Sequence, residues 1–412
     1  MTTVLRPETP AQVAEAVAWA AADEAPLELV GAATKRGLGR PVQAGHTLDL
    51  SALYGITLYE PEELVLSAGA GTPLAEIETA LAGKQQQLAF EPPDLGPLFG
   101  APAGKGTIGG ALACNLSGPR RIKAGGARDH FLGFKAVSGR GEAFKAGSRV
   151  VKNVTGYDLC KLLAGSYGTL VALTDVTIKV LPAPEKTRTL LLVGLADAVA
   201  VRAMSRALQS SHEVSGAAHL PAALAAALPV ELVARAGDAV TAIRVEGPGP
   251  SVEFRCAALR RELADLGAAT EELHSHNSAL FWRGLRDVAP FVADRQTAVW
   301  RLSVPPMAGA QVVTTLVAAL DVLGKSQYFY DWGGGLIWFA LPATADAAAE
   351  TVRGAIAACG GHATLVRAPD ETRVAVPVFQ PQPEPLALLS RRVKESFDPR
   401  RILNPGRLSA AI

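Results

Sequence analysis

Five glycines fall within eighteen residues at 104–121, GKGTIGGALACNLSGPRR, and this stretch limits the possible folds more than any other. Gly106, Gly109 and Gly110 have no Cβ, so the backbone there can approach a bulky ligand and present its amides. Successive N–H groups form a concave anion site, and a short helix starting near Gly110 adds its dipole. Thr107, Asn115 and Ser117 supply neutral donors for phosphate or ring-edge atoms. On these residues alone, a glycine-rich turn that lets two strands pass fits equally well.

The flanking sequence supplies an α/β context. Thr9 and Pro10 open a helix over 9–24 with Val13, Ala16, Val17 and Ala20 on one face. A strand at 27–30 runs into the turn GAATKRGLG, 31–39, where backbone amides and Lys35 or Arg36 suit a pyrophosphate. A second strand near 63–70 leads into a helix carrying Leu74, Ile77 and Leu81. Strand, glycine-rich turn and helix alternate, as in nucleotide-binding lobes. GxGxxG with a following acid is absent, as is a P-loop, so neither a Rossmann nor a P-loop site is indicated.

Composition excludes several functions. The chain has 412 residues, 49% apolar and 19% charged, with formal charge +1, which predicts two or more lobes and disfavours nucleic acid or anionic membrane as the main ligand. Cys114, Cys160, Cys256 and Cys359 are far apart and form no CxxC, so a disulfide framework, a zinc site or a ligated iron–sulfur cluster is not expected. The opening residues lack the pattern of a secretory signal, and no apolar run approaches the ~20 residues of a membrane helix. The chain reads as cytosolic and soluble.

After PAPEKT, residues 188–370 change texture. Strand-like runs at 190–193, 240–245, 298–304, 336–341 and 364–367 alternate with helices near 197–209, 251–266, 309–322 and 345–358. This predicts an α+β lobe with helices on one face of a mainly antiparallel sheet, and the spacing hints at an internal pseudo-repeat without a shared signature. Past PVFQPQPEP, a last helix leads to SFDPRRILNPGRL, which is expected to pack on the first lobe. The expected boundaries are 1–184, 185–384 and 385–412.

A third element, NVTGYDLCKLLAGSYGTLVALTDVTIKVLP at 153–182, adds Gly165, Gly168-Thr169-Leu170 and an alternating strand. Taken together, the loop at 31–39, the GTIGG…NLSG element and the G-S-x-G-T-L strand entry resemble the PCMH-type FAD-binding domain of the vanillyl-alcohol-oxidase superfamily. The FDP…NPG tail resembles that of FAD-linked oxidases. The whole texture, most strongly at 92–182 and 395–408, is similar to the FAD-binding E subunits of bacterial glycolate oxidases. The resemblance implies a two-subdomain FAD lobe, an α+β cap lobe and a returning C-terminal segment. It also implies noncovalent FAD, oxidation of glycolate to glyoxylate, a catalytic flavoprotein subunit and an iron–sulfur subunit as partners, and a cytoplasmic protein reaching the inner membrane only through them.

Carried over by position, the pyrophosphate contacts fall on Gly31, Thr34 and Lys35. The flavin and ribityl contacts fall on Gly106, Thr107, Gly109, Gly110, Asn115, Ser117 and Gly118. Thr169 and Val171 border the cofactor, and Asn404 approaches the ring. Ala32 and Ala33 stand where relatives usually have glycines. The first loop lacks the histidine that carries flavin covalently, since His46 lies beyond it, and Cys114 reads as an inert buried thiol.

Catalysis in this chain is less well marked. Catalytic relatives carry His-x-Gly-Asp-Gly-Asn-x-His in the second lobe; YFYDWGGGLIWF at 328–339 has no histidine. The remaining candidates are His274 with Arg283 and Arg286, two arginines three apart that on one helical face can grip a carboxylate, although a solvated basic face over an inward Trp282 explains them as well. His276 completes no metal set, and no metal is assigned. An accessory flavin subunit therefore fits better than a stand-alone 2-hydroxy-acid or alcohol dehydrogenase, or a flavoprotein fold kept as a scaffold.

Overall fold

The computed structural model describes residues 3–149 and 156–412; the part of the 153–182 motif at 153–155 lies outside them. The chain forms two compact units. The first comprises residues up to Ser117, Gly125–Ala183 and Pro377–Ile412, and the second Gly118–Ala124 and Pro184–Val376.

In the first unit, Thr9 caps the helix Pro10–Ala22 by accepting a hydrogen bond from the Gln12 N–H, and Val13, Val17 and Ala20 are its buried face. These residues share a core with Leu27 and Leu48, which belong to a parallel sheet in the order β1 (Thr3–Leu5), β3 (His46–Asp49), β2 (Leu27–Val30). The C-terminal tail runs beside β2: the Leu27 N–H donates to the Ile402 carbonyl at 2.7 Å and the Asn404 N–H to the Leu27 carbonyl at 2.9 Å. The tail that makes this pairing belongs to the segment Pro377–Ile412 of the first unit.

The other sheet of this unit is antiparallel, in the order β4 (Ile56–Glu60), β5 (Val65–Gly69), β9 (Val171–Lys179), β7 (Phe131–Ser138), β8 (Ala143–Gly147); β6 (Gln86–Gln87) and β10 (Leu181–Pro182) pair separately. Two cores flank it. Ile77, Leu81, Phe90, Ile108, Leu112 and Val176 form one, and Val13, Val17, Leu48, Val137, Ala172 and Ile402 the other. Val171, Leu173, Val176 and Ile178 share a core although their parity breaks at 174, because the register against β7 slips there. A bulge restores the alternation.

The second unit contains one antiparallel sheet of eight strands: β11 (Lys186–Val193), β12 (Gly216–Leu220), β13 (Val240–Gly247), β14 (Ala269–His274), β15 (Thr297–Ser303), β16 (Gln327–Asp331), β17 (Leu336–Pro342) and β18 (His362–Arg367). Their order is β14-β11-β13-β12-β16-β17-β15-β18. With the helices Asp197–Gln209, Gly249–Glu262, Gly309–Leu320 and Ala349–Ala357, each half reads strand–helix–strand–strand–helix–strand. The halves meet where His219 pairs with Tyr330. The pseudo-repeat hinted at by spacing is therefore a repeat of topology, which needs no shared residues.

Residues Gly118–Ala124 belong to this second unit although the sequence groups them with the glycine-rich element. Arg120 donates to both oxygens of the Glu246 carboxylate at 3.0 and 2.8 Å, and Trp332 Nε1 donates to the Gly118 carbonyl at 3.1 Å. One segment, Pro306–Leu323, is long and apolar enough to cross a membrane by length and composition, although Gln311, Thr314, Thr315 and Asp321 interrupt its apolar run. Its Val312, Val313, Leu316 and Leu320 are buried within the unit.

Candidate functional site

The loop at 31–39 leaves the end of β2 and curls through two turns, with the Arg36 N–H donating to the Ala33 carbonyl and the Leu38 N–H to the Lys35 carbonyl. Ala33 takes a left-handed φ of 55°. Arg407, from the tail, donates to the carbonyls of Arg36 and Leu38 at 3.0 and 2.9 Å. The Arg36 guanidinium is turned onto the Glu28 carboxylate at 3.0 and 2.7 Å. Among the described residues, the N–H groups of Ala32, Ala33, Thr34 and Lys35 meet no acceptor. Four consecutive donors without partners form a concave anion site of the kind expected from sequence.

Opposite them stands the short helix Ile108–Ala113, capped by the Thr107 hydroxyl, which accepts from the Gly110 N–H at 3.3 Å. The loop and this helix are so close that a Cβ on Gly31 would lie 2.7 Å from Thr107 Oγ1. Gly109 is fixed by a different neighbour: its N–H donates to the Ala70 carbonyl at 2.9 Å, and a Cβ there would meet that oxygen at 2.7 Å. Gly110 makes room for Thr107 and Lys35, with a Cβ falling 3.2 and 3.5 Å from their Oγ1 and Nζ. The amides of Ile108 and Gly109 are thus used to join elements, and the free donors come from the loop.

The third wall is the turn at Tyr167 and Gly168 with Val171 and Leu173 of β9. Asn404 ties this turn to the loop, its Oδ1 accepting from the Leu29 N–H at 2.8 Å and its Nδ2 donating to the Tyr167 carbonyl at 2.7 Å. Lys35, Arg36 and Arg407 line the cavity together with apolar Leu29, Leu50 and Ala113, and the lining contains no carboxylate among the described residues. Burial holds the Lys35 ammonium below its ordinary value, against Cys114 and Asp94, which favour the charge. Burial also pushes the Cys114 thiol up, opposed by Lys35 and Arg407, so the sulfur stays protonated.

Of the residues expected from sequence, Gly31, Thr34, Lys35, Thr107, Gly109, Gly110, Val171 and Asn404 line this one cavity. Five others do not. The Gly106 carbonyl accepts from the Leu74 N–H, and its bare Cα leaves space for Lys35. Asn115 and Ser117 accept from the Arg128 and Ala127 N–H groups, starting the helix Ala127–His130. Gly118 lies in the second unit. Thr169 is buried, its hydroxyl donating to Ser166 and its carbonyl accepting from Lys394. Arg407, Tyr167 and Gly168 were missed; the only sequence signal for Arg407 is its place just after Asn-Pro-Gly.

His274, Arg283 and Arg286 form no site. His274 is exposed, 3.7 Å from Glu272; Arg283 points to solvent; Arg286 grips the Asp287 carboxylate at 2.8 and 2.9 Å. The fork expected for a substrate carboxylate already holds one from its own chain.

A family model described as an FAD binding domain matches residues 1–147. The glycolate oxidase subunit GlcE of Escherichia coli (strain K12) is 36% identical over 399 residues, 97% of this chain and 97% of that one. The chain belongs to the GlcE family. The family is related to longer proteins: glycolate oxidase subunit GlcD of Bacillus subtilis (strain 168) is 29% identical over 52% of this chain and 44% of its own length. A D-lactate dehydrogenase of Anaerostipes hadrus is 34% identical over 40% of this chain and 31% of its own. Among solved structures, p-cresol methylhydroxylase matches with TM-score 0.74 at 14% identity, covering 98% of this chain and 88% of that one. The 4-ethylphenol oxidase from Gulosibacter chungangensis matches with TM-score 0.70 at 16% identity over the same shares. This chain therefore shares the α+β fold of these two proteins, and the loop at 31–39 and the helix Ile108–Ala113 that line the cavity lie within the range matched by the FAD binding domain.

Proposed function

We propose that this chain binds FAD noncovalently and is the FAD-binding subunit of a glycolate oxidase complex, accessory to a separate catalytic flavoprotein subunit and working with an iron–sulfur subunit. The observation that carries the cofactor reading is the run of partnerless amides at Ala32, Ala33, Thr34 and Lys35, facing a lining with cations and no carboxylate. Those donors and Lys35 suit a diphosphate, and Gly31 and Gly110 keep the space clear. Leu29, Leu50, Ala113, Val171 and Leu173 give an apolar surface for a flat ring and exclude water from it. When bound, FAD supplies a two-electron acceptor for the hydride of a 2-hydroxy acid. Noncovalent binding is supported by a lining without histidine among the described residues and by a Cys114 thiol kept neutral.

The accessory role is supported by the commitment of Arg286 to Asp287 and by the exposure of His274, which leave the sequence candidates without a joint task. The GlcE relative is named as a subunit of glycolate oxidase, which is the source of the partner reading. The test uses the purified chain. It should be yellow, acid precipitation should leave the colour in the supernatant, and anaerobic glycolate should not bleach it until the partner subunits are added. Bleaching by the chain alone would refute the accessory role, and colour retained in the precipitate would refute noncovalent attachment.

A further inference from the structure

Among the cations that line the cavity of the first unit, Lys35 is held differently from the rest. The Arg36 guanidinium is engaged by the Glu28 carboxylate, and Arg407 by the carbonyls of Arg36 and Leu38. The Lys35 ammonium has one hydrogen-bond acceptor among the described residues, the Thr34 hydroxyl at 3.5 Å, which is the outer limit of such a bond. Its Nζ is turned inward, so that a Cβ on Gly106 or Gly110 would lie 3.3 or 3.5 Å from it.

The groups around this ammonium compensate it only in part. Asp94 and Cys114 favour its charge. The Asp94 carboxylate, however, accepts from the Gly96 and Gly104 N–H groups at 3.2 and 2.6 Å, and the Cys114 sulfur stays a neutral thiol. Arg36, Arg407 and the Tyr167 phenol are the other charged or titratable groups of the lining, which holds no histidine among the described residues. Glu76 and Lys105, on the neighbouring segments, are exposed. Burial outweighs the two favourable groups and holds the ammonium below its ordinary value. A diphosphate seated on the partnerless amides of 32–35 brings negative charge into the same cavity and reverses that balance.

We propose that FAD enters this cavity together with a proton taken from solvent onto Lys35 Nζ, which limits cofactor loading at alkaline pH. This rests on the FAD reading above and adds a regulation of the same site. While the lysine is charged with or without FAD, affinity does not change with pH through it. Once the free chain loses this proton and the loaded chain keeps it, each FAD bound carries one proton in. Affinity then falls by up to about tenfold per pH unit. An arginine at this position keeps its charge throughout and removes the step.

The test is calorimetric titration of the full chain, freed of flavin, with FAD at pH 7, 8 and 9. Each titration is run in buffers of high and low ionisation enthalpy, so that the protons taken up are counted. Uptake should rise from pH 7 to pH 9 while affinity falls. Lys35→Arg should bind FAD with no uptake and with level affinity across the range. Lys35→Gln should also show no uptake, with affinity at pH 7 weakened roughly tenfold or more. Cys114→Ser should take up as many protons as the wild type. Circular dichroism at each pH checks that the variants are folded. FAD binding by the wild type without proton uptake, uptake that survives in Lys35→Gln, or uptake that vanishes in Cys114→Ser would overturn the coupling and leave the flavin reading standing. A folded chain that takes up no FAD at any pH would sink both.

Discussion

The Lys394 ammonium lies 2.6 Å from the Asp398 carboxylate, one helical turn away, and both are buried. Lys394 also donates to the carbonyls of Thr169 and Leu403 at 2.6 and 2.9 Å, while Asp398 accepts from the Ile402 and Leu403 N–H groups. This pair fixes the tail beside β2, and so places Asn404 and Arg407 at the cavity. The FDP…NPG sequence thereby acts as a clamp for the flavin domain.

Removing one partner leaves a buried charge uncompensated, at a typical cost of ~3–5 kcal/mol. Lys394→Met is expected to lower stability by about that amount in urea unfolding, and to release flavin before the second unit unfolds. A variant within 1 kcal/mol of the wild type would show that the tail is held by its backbone pairing alone.

Asn404→Ala deletes both links between Leu29 and Tyr167 while leaving the fold's core intact. Two hydrogen bonds at ~1 kcal/mol each predict FAD binding weakened by roughly tenfold or more, read by flavin fluorescence titration. Wild-type affinity would mean that the two walls hold their spacing without it.

Ala33 adopts a conformation that costs an L-residue about 1 kcal/mol. Ala33→Gly should therefore raise the melting temperature slightly and keep or tighten FAD binding. A loss of stability would show that the greater freedom of glycine in the unfolded chain outweighs the relief.

Glu246 gives the second unit a pH signature. Burial alone would raise its carboxyl, but Arg244 and Arg120 hold it at about 2, against an ordinary 4.5. A depressed carboxylate stabilises the fold above its unfolded pKa and loses that contribution as pH falls from about 4.5 towards 2, here about 3 kcal/mol. Urea midpoints at pH 6 and pH 3 should differ less in Glu246→Gln than in the wild type. An equal pH dependence in the two proteins would assign the acid sensitivity to other groups.

The architecture was legible where a local rule governs it. Thr9 and Pro10 start the first helix, alternation marks β9, and the two Ala-rich strand–helix halves announce the second unit. The strand β12, GAAHL, carries no alternation because all five residues are buried, and it was missed along with β14 and β16. At the site, glycines and Lys35 could be read because close approach and charge depend on residue type. Asn115 and Ser117 could not, since a side-chain oxygen that caps a helix and one that meets a ligand are the same in sequence. The membership of Gly118–Ala124 in the second unit depends on Glu246, 126 positions from Arg120, a distance at which no local pattern reports.

The most direct test of the flavin cavity is FAD titration of the wild type against Gly110→Val, with circular dichroism to confirm folding. A branched side chain at Gly110 would push on Thr107 and Lys35 and fill the space facing the free amides of the loop. The expected result is a folded, colourless variant that takes up no FAD at concentrations saturating the wild type. A Gly110→Val protein that binds FAD with wild-type affinity would contradict the placement of the cofactor between these two elements.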